Sequence, residues 1–383
     1  MNTQSLAHVR LDNVRKLEGF VAKDYPPQQE GQWIEMIVRG FFTSDQKEFY
    51  DYMKQTSSIF LNNIQWAHQV NNFLILIHQD QTADVYVNDF PIIYEGMLKR
   101  NCQAGEMLRL QDIADIRSLK FPGIEINKTD NVILSFRWGW KFGLFFDLMQ
   151  WEKGHCLDID SLHRELGWHY KRLMFQSEYA VLENRPTFQQ MLGDGWFPFV
   201  QIIGGEFAEL SRFYKDKFLS STTQFVNRFN KDRIMRFVDR WWNNRFFEQK
   251  KSIILAGVEA YLTNTQAGFI NCIKNLTSEI EGIIQLHHAH QDATKASLRH
   301  VELAQHLKKA AEKKFDSIEP LSFPEEFCRY INEIFLKGFD LETGNIDLSR
   351  HTALHGVAKP EDYTKVKALQ CIFMLDQMYF YLS

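Results

Sequence analysis

The segment 349–356, with the sequence S-R-H-T-A-L-H-G, combines residue types that can handle a phosphate group without a metal ion. A guanidinium such as that of Arg350 is permanently charged and binds phosphate through two parallel hydrogen bonds. An imidazole such as that of His355 titrates near neutral pH and can accept or donate a proton. Arg350 and His355 are five positions apart, so in a regular helix their side chains would point about 140° away from each other. Within a regular helix they could therefore not easily bind one atom together, but they could line one wall of a cleft into which a phosphate fits.

The same residues carry a resemblance to a known family. An Arg, a polar residue, three further residues and a His resemble the signature of HEPN domains, many of which are metal-independent ribonucleases of toxin, phage-defence and RNA-processing systems. Here the polar residue is His351, and Gly356 follows the final His. The upstream segment 280–284, I-E-G-I-I, also looks like one that precedes the signature in such domains. The resemblance covers roughly residues 240–383 and does not extend to the first 230 residues.

The resemblance implies an endoribonuclease in which a ribose 2′-OH attacks the neighbouring phosphate. His355 would take the hydroxyl proton or protonate the leaving 5′-oxygen, and Arg350 would hold the phosphate as its negative charge grows. In the family a second His comes from another subunit, which implies a two-fold symmetric homodimer. His351 would orient the pair, and Glu281 would support it from a neighbouring helix. The resemblance implies RNA as substrate and neither a cofactor nor a metal.

Structural alternatives exist for each of these residues. Arg350 could cap a loop and His355 could pack beside the terminal helix, while His351 and Glu281 could be solvated. The spacing also recurs at Arg164–His169, which we attribute to chance because short patterns often do. The corresponding alternative function is a non-catalytic HEPN-like protein that binds RNA or protein, regulates, or dimerises.

A basic stretch at 228–251 contains eight basic and three acidic residues in a chain whose net charge is −4. Because the whole protein is acidic, RNA would need a local basic surface. The candidate RNA contacts are Arg236, Arg240, Arg245, Lys250 and Lys251. Interleaved aromatic residues at 241, 242, 246 and 247 could stack on unpaired bases. The more common arrangement, which we favour, is a solvated basic face with its aromatic residues buried beneath it.

Metal and nucleotide chemistry find little support in the sequence. His287, His288, His290 and Asp292 are zinc-compatible types, but we expect them on a linker that lacks the fixed geometry of a metal site. We therefore predict no metal. Phosphate-binding GxxxxGK[ST], dinucleotide-binding GxGxxG and nucleophile-elbow GxSxG patterns do not occur.

The composition is that of a globular protein, with 45% hydrophobic and 24% charged residues. Five scattered cysteines without a CxxC pair favour a reducing cytosol, so we expect a cytoplasmic protein. The first residues lack a basic start followed by an apolar run, and we expect no secretory signal. The most apolar stretch, 132–149, is interrupted by three charged residues, so we predict no membrane span.

Patterning along the chain predicts an N-terminal α+β domain and an all-helical HEPN-like bundle. Residues 1–216 would form the first, with a largely antiparallel sheet that includes a hairpin at 73–87 and strands at 123–126 and 132–136. Residues 217–383 keep a helical spacing of apolar residues and would form the second. We expect the first domain to sense a trigger, restrain the nuclease or select RNA, with an antitoxin or trigger protein as a further partner.

Overall fold

The computed structural model describes residues 8–14, 21–22, 30–61, 70–148, 154, 156–291, 298–336, 352–353 and 358–383. Short strands dominate the chain up to residue 147, and helix α1 (Lys47–Thr56) follows the fourth of them. The strands are β1 (His8–Leu11), β2 (Val21–Ala22), β3 (Met36–Ile37), β4 (Arg39–Thr43), β5 (Phe73–Ile77), β6 (Ala83–Val87), β7 (Ile93–Leu98), β8 (Ile113–Lys120), β9 (Asn131–Trp138) and β10 (Lys141–Asp147).

Six of these strands form one antiparallel sheet in the order β1-β6-β5-β9-β10-β4. One of its two central strands is β5, the run F-L-I-L-I, in which every residue is buried. The turn after β5 is closed by the amide of His78, which donates to the carbonyl of Thr82 at 2.9 Å. The predicted hairpin is thereby confirmed, because β5 pairs with β6 from Phe73 opposite Val87 to Ile77 opposite Ala83.

Both faces of this sheet are covered by apolar residues. Alternate residues of β5 point to opposite faces, so Ile75 belongs to one core cluster and Leu74 to the other. The face with Leu74 packs against helix α2 (Ile159–Met174). Gly167 permits a close approach there, because a Cβ at this position would lie 2.6 Å from the Cα of Ser118. The sequence therefore places a glycine where the helix meets the backbone of β8.

The strand predictions were only partly correct. The expected strand at 132–136 is confirmed as β9, which is longer. Residues 123–126 are not a strand, because the amide of Ile124 donates to the carbonyl of Phe121 at 3.1 Å and the amide of Asn127 donates to the Asp130 carboxylate at 2.7 Å. These local bonds turn the chain instead of extending it.

Helices account for the regular structure of the described chain after β10, apart from short 3₁₀ and π turns. The first of them, α2, is followed by α3 (Gln176–Glu183), α4 (Arg185–Gly193), α5 (Glu206–Lys215), α6 (Ser221–Asn227), α7 (Lys231–Trp241), α8 (Arg245–Glu248), α9 (Lys251–Leu262), α10 (Gln266–Gln291), α11 (His300–Phe315), α12 (Pro324–Tyr330) and α13 (Lys365–Leu382). The expected order, an antiparallel sheet region followed by a helical part, is confirmed at this level.

Packing divides the chain into two compact units. The sheet unit comprises Met1–Glu95 and Ile116–Phe175, and the helical unit comprises Gly96–Asp115 and Gln176–Ser383. Helices α3 to α5 thus pack with the helices that follow them. The strands of the described chain end at Asp147, and the domain boundary placed at 216/217 from the sequence stays a prediction.

Candidate functional site

Three of the predicted site residues, Arg350, His351 and His355, lie outside the described residues, so the geometry comes from their neighbours. Thr352 and Ala353, in the middle of the signature, are each only 1% exposed. The amide of Ala358 donates to the carbonyl of Thr352 at 3.2 Å, which brings the two ends of the segment 352–358 together. The centre of the signature therefore packs inside the helical unit.

The chain just after the signature is tied to the start of α10. The side-chain amide of Gln266 donates to the carbonyl oxygens of Pro360, at 2.6 Å, and Tyr363, at 3.1 Å. Further along α10, the Lys274 ammonium lies 5.9 Å from the centre of the Tyr363 ring. Because α10 also carries Glu281, one helix links the candidate supporting residue to the segment that follows the signature.

Helix α13 starts immediately after this segment and runs through the interior of the helical unit. Its first turn is capped by Thr364, whose hydroxyl accepts a hydrogen bond from the amide of Lys367 at 3.2 Å. Nearly every residue from Ala368 to Leu382 is buried, whichever side of the helix it is on. A helix that is apolar all round must be enclosed by others, so α13 is a fixed support next to the signature.

Glu281 lies on α10 in a half-buried position, between the buried residues Ile280 and Ile283. Two residues earlier, the buried Glu279 carboxylate pairs with the ammonium of Lys250 at 3.0 Å. Gly282 faces the same lysine, since a Cβ there would lie 3.8 Å from its Nζ. Lys250 is thus held beside the I-E-G-I-I segment, by the Glu279 carboxylate that precedes it and next to Gly282.

Most of the predicted RNA contacts already have partners within the helical unit. Arg240 pairs with Asp376 at 3.2 Å, Lys250 with Glu279, and Lys251 with Glu248 at 3.6 Å. Arg245 lies over the ring of Phe246, 4.7 Å from its centre. Arg236 is exposed on α7. The five candidate contacts are thus three ion-paired cations and two exposed arginines, Arg236 and Arg245.

The aromatic residues of this stretch are mainly core residues. Trp241 and Phe247 are fully buried, and Phe246 is 7% exposed. Trp242 is half-buried, and the ammonium of Lys251 lies 5.3 Å from the centre of its ring. The arrangement favoured from the sequence, a basic face above buried aromatic residues, describes the stretch better than a platform for stacking bases.

A buried polar network surrounds Asp376, and it was not predicted from the sequence. The Asp376 carboxylate accepts hydrogen bonds from Gln201 Nε2 at 2.5 Å, Trp241 Nε1 at 2.7 Å and Arg240 Nη2 at 3.2 Å. Burial raises the pKa of this carboxyl, and Arg240 opposes the rise. The signal in the sequence was the single acidic residue of α13, which stands in a largely apolar run. A carboxylate needs partners when it is buried.

The histidines considered as metal ligands are helical and not on a linker, since α10 continues to Gln291; Asp292 lies outside the described residues. His287 Nδ1 lies 2.8 Å from His306 Nε2 of α11. Burial is the main reason that the pKa of His287 is lowered to about 4, and the neighbouring His290 and Arg245 act in the same direction. In the part of the chain that the structure describes, no group of three or more His, Cys, Asp or Glu residues is arranged for a metal ion.

The second copy of the Arg-to-His spacing lies on α2 of the sheet unit. There His169 is 7% exposed and its ring stacks on Phe41 with 4.3 Å between the centres. Burial lowers the pKa of His169, although Glu165 opposes the effect. A core imidazole of this kind cannot reach a phosphate, so this copy of the spacing does not form a catalytic site.

Comparisons of the chain with protein-family profiles, curated protein sequences and solved structures found no match. Among the described residues, no helix is both long enough and apolar enough to span a bilayer.

Proposed function

We propose that the protein is a metal-independent endoribonuclease of toxin or phage-defence type that acts as a cytoplasmic homodimer. The observation that carries the proposal is the signature Arg350–His355, which resembles that of HEPN ribonucleases and precedes α13 in the chain. Two features of the helical unit support it. The central signature residues Thr352 and Ala353 are buried, and α10, which carries Glu281, holds the segment after the signature through Gln266.

The proposed reaction is a transfer within the RNA backbone. The ribose 2′-oxygen forms a bond to the adjacent phosphorus, the bond to the 5′-oxygen breaks, and a 2′,3′-cyclic phosphate and a 5′-hydroxyl end result. His355 accepts the 2′-OH proton or donates one to the leaving oxygen, and Arg350 binds the phosphate as charge accumulates. Because the nucleophile belongs to the substrate, the reaction selects RNA over DNA.

Two proton transfers require two groups, and one signature supplies one titrating imidazole at the expected position. A two-fold symmetric homodimer would bring a second His355 to the same phosphate. In this arrangement His351 orients the pair, and Glu281 supports it from α10. The N-terminal region would sense the trigger, restrain the nuclease or select the RNA, with an antitoxin or trigger protein as partner.

The test follows both the products and the nucleophile. The intact protein is incubated with RNA in excess EDTA, and with the same RNA carrying a single 2′-deoxy sugar at the main cleavage position. We expect 2′,3′-cyclic phosphate and 5′-hydroxyl ends from the first substrate and no cut at the modified position in the second. Cleavage at the deoxy position, or products with 5′-phosphate ends, would contradict the mechanism.

The second candidate is a non-catalytic HEPN-like protein that binds RNA or protein, regulates, or dimerises. The ion pairs of the basic stretch favour this candidate, because these cations already have partners within the fold and do not need a substrate to balance their charge. It predicts that Arg350→Ala and His355→Ala leave RNA binding and any effect on cell growth unchanged. The ribonuclease proposal predicts that both variants abolish the growth effect.

A further inference from the structure

A cleft of about 350 Å³ in the helical unit, separate from the signature, collects basic side chains from two distant parts of the sequence. One wall comes from the tip of the β7–β8 hairpin, the other from the chain around Ile203 and from α5 and α7. The basic lining residues are Lys99, Arg100, Arg233, Arg236 and Arg240, and the acidic ones are Asp112 and Glu206. Cations therefore outnumber carboxylates along the cleft.

Two of the arginines are held in place by the carboxylates. Arg233 donates to both oxygens of Glu206, at 2.8 and 2.5 Å. Arg100 donates to both oxygens of Asp112, at 2.8 and 3.3 Å. Arg100 Nη1 also donates to the carbonyl of Asn101 at 3.0 Å and pairs with Glu106 at 2.6 Å. A guanidinium has five N–H donors, so Arg233 keeps donors for a ligand, and Arg100, whose orientation is fixed, keeps one.

Two further arginines have hydrogen-bonding capacity that the described residues do not use. Arg236 is exposed and makes no hydrogen bond or ion pair within the described chain. Arg240 Nε is buried and has no hydrogen-bond partner among the same residues. A buried donor without a partner is costly, and a ligand in the cleft could satisfy it.

Lys99 is almost completely buried at the edge of this cleft. Its Nζ donates to the carbonyl of Ile203 at 2.5 Å, which uses one of the three donors of an ammonium group. Burial lowers the pKa of Lys99 to about 7, with Arg233 acting in the same direction and with Glu206, Glu178 and Asp112 opposing it. A bound anion would favour the protonated form, so binding would be coupled to proton uptake.

We infer that this cleft binds the phosphomonoester group of a small phosphorylated ligand. Its volume lies at the small end of ligand pockets, which span about 300–1,000 Å³. That size suits a mononucleotide or a sugar phosphate better than a run of RNA backbone. Charge-assisted bonds from convergent arginines are the usual means of recognising such a group. The inference is independent of the proposed ribonuclease activity.

The test is calorimetric titration of the intact protein with AMP, inorganic phosphate and adenosine. Two further probes are a fully 2′-O-methylated tetranucleotide with a 5′-phosphate and the same tetranucleotide with a 5′-hydroxyl. They show whether the cleft prefers an RNA end to a free small molecule, and they cannot be cleaved because they have no free 2′-OH for attack. The variants are Arg236→Ala and Lys99→Met. The matched control is Arg212→Ala, which removes another exposed guanidinium, on α5 and outside the cleft.

We expect AMP and phosphate to bind and adenosine not to bind. Arg236→Ala should weaken AMP binding about tenfold, as expected for the loss of a charge-assisted hydrogen bond, and Arg212→Ala should leave it unchanged. At pH 6 the intact protein should bind AMP more tightly than Lys99→Met does, and this difference in affinity should become smaller as the pH rises to 8.5. Tighter binding of the phosphorylated tetranucleotide than of AMP would assign the same site to an RNA end.

The inference would be overturned if AMP and adenosine bound equally, if no phosphorylated probe bound, or if Arg212→Ala weakened binding as much as Arg236→Ala. Should Lys99→Met fail to fold, Arg236→Ala decides alone, because an exposed arginine without an ion pair among the described residues is not needed for the fold.

Discussion

At the scale of single residues, Asp376 shows how the helical unit accommodates a charge in its interior. The carboxylate is 1% exposed, and three donors from other elements surround it. Arg240, considered from the sequence as an RNA contact, is one of them, and its side chain is only 14% exposed. A residue that looks like a nucleic-acid contact in the sequence therefore stabilises the packing of α7 against α13.

Replacing Asp376 by Ala should lower the free energy of unfolding by about 3 kcal/mol, because it leaves the Arg240 and Trp241 donors buried without their acceptor. Urea denaturation followed by circular dichroism measures the change. The control Asp239→Ala removes an exposed carboxylate of α7 and should change the unfolding free energy by less than about 0.5 kcal/mol. Equal effects of the two substitutions would show that the network contributes nothing.

At the scale of elements, α10 connects the two parts of the candidate site. Its first turn binds the segment after the signature through Gln266, its middle carries Glu281, and its last turns pack on α11 through the histidines. The His287–His306 contact requires at least one neutral imidazole, because two protonated rings would place like charges within hydrogen-bond distance.

Gln266→Ala should strongly reduce the rate of RNA cleavage while the protein stays folded. The variant loses two hydrogen bonds, which together contribute about 1–2 kcal/mol to folding, and it releases the segment that positions the signature. Cleavage rates and unfolding free energies are measured on the same preparations. Gln224→Ala on α6, an exposed glutamine, serves as the control. Full activity of Gln266→Ala would mean that this anchor does not position the site.

Acidification should destabilise the contact between α10 and α11. The pKa of His287 is about 4 in the folded protein, below its ordinary value of 6.5, so the folded state favours the neutral ring. This contribution to stability is present above pH 6.5 and is lost as the pH falls towards 4. The unfolding midpoint of the intact protein should therefore fall more steeply over this range than that of His287→Gln.

The control for this pH effect is His290→Gln, which changes an exposed imidazole at the end of the same helix. It should keep most of the pH dependence, because burial is the largest cause of the low pKa of His287. Parallel pH profiles for the intact protein and His287→Gln would exclude the contact as the origin.

At the scale of the whole molecule, the sequence predicted the order of architectures and missed features that depend on distant partners. The apolar run of β5 and the helical spacing after residue 217 were sufficient signals. Strand β8 was missed as a separate element because it contains the buried Asp115, whose carboxylate accepts from the amide of Leu321 at 3.2 Å and from the hydroxyl of Ser317. No local pattern reveals such partners.

The candidate site was predictable only in part for the same reason. The spacing of Arg350 and His355 is a local signal, whereas the cleft around Lys99 joins residues that are more than 100 positions apart in the chain. The histidines at 287–290 were assigned to a linker because they are polar, although contacts with α11 keep them helical.

The proposed homodimer predicts the cleavage activity of a heterodimer in which only one protomer carries His355. A heterodimer of one intact protomer and one His355→Ala protomer is isolated by sequential affinity purification on two different tags. If one phosphate needs a His355 from each subunit, its activity should fall far below half that of the intact dimer. Half activity would indicate that each protomer cuts independently, and a monomeric protein in sedimentation experiments would contradict the composite site.

RNA cleavage in excess EDTA by the intact protein and by His355→Ala, matched for dimer content, tests whether the signature is the active site. The control His290→Ala removes an exposed imidazole elsewhere in the helical unit. We predict that the intact protein and the control cut RNA, and that His355→Ala loses the activity at least about a hundredfold, as expected for the loss of a general acid or base. Equal cleavage by His355→Ala would contradict the assignment of the active site to the signature.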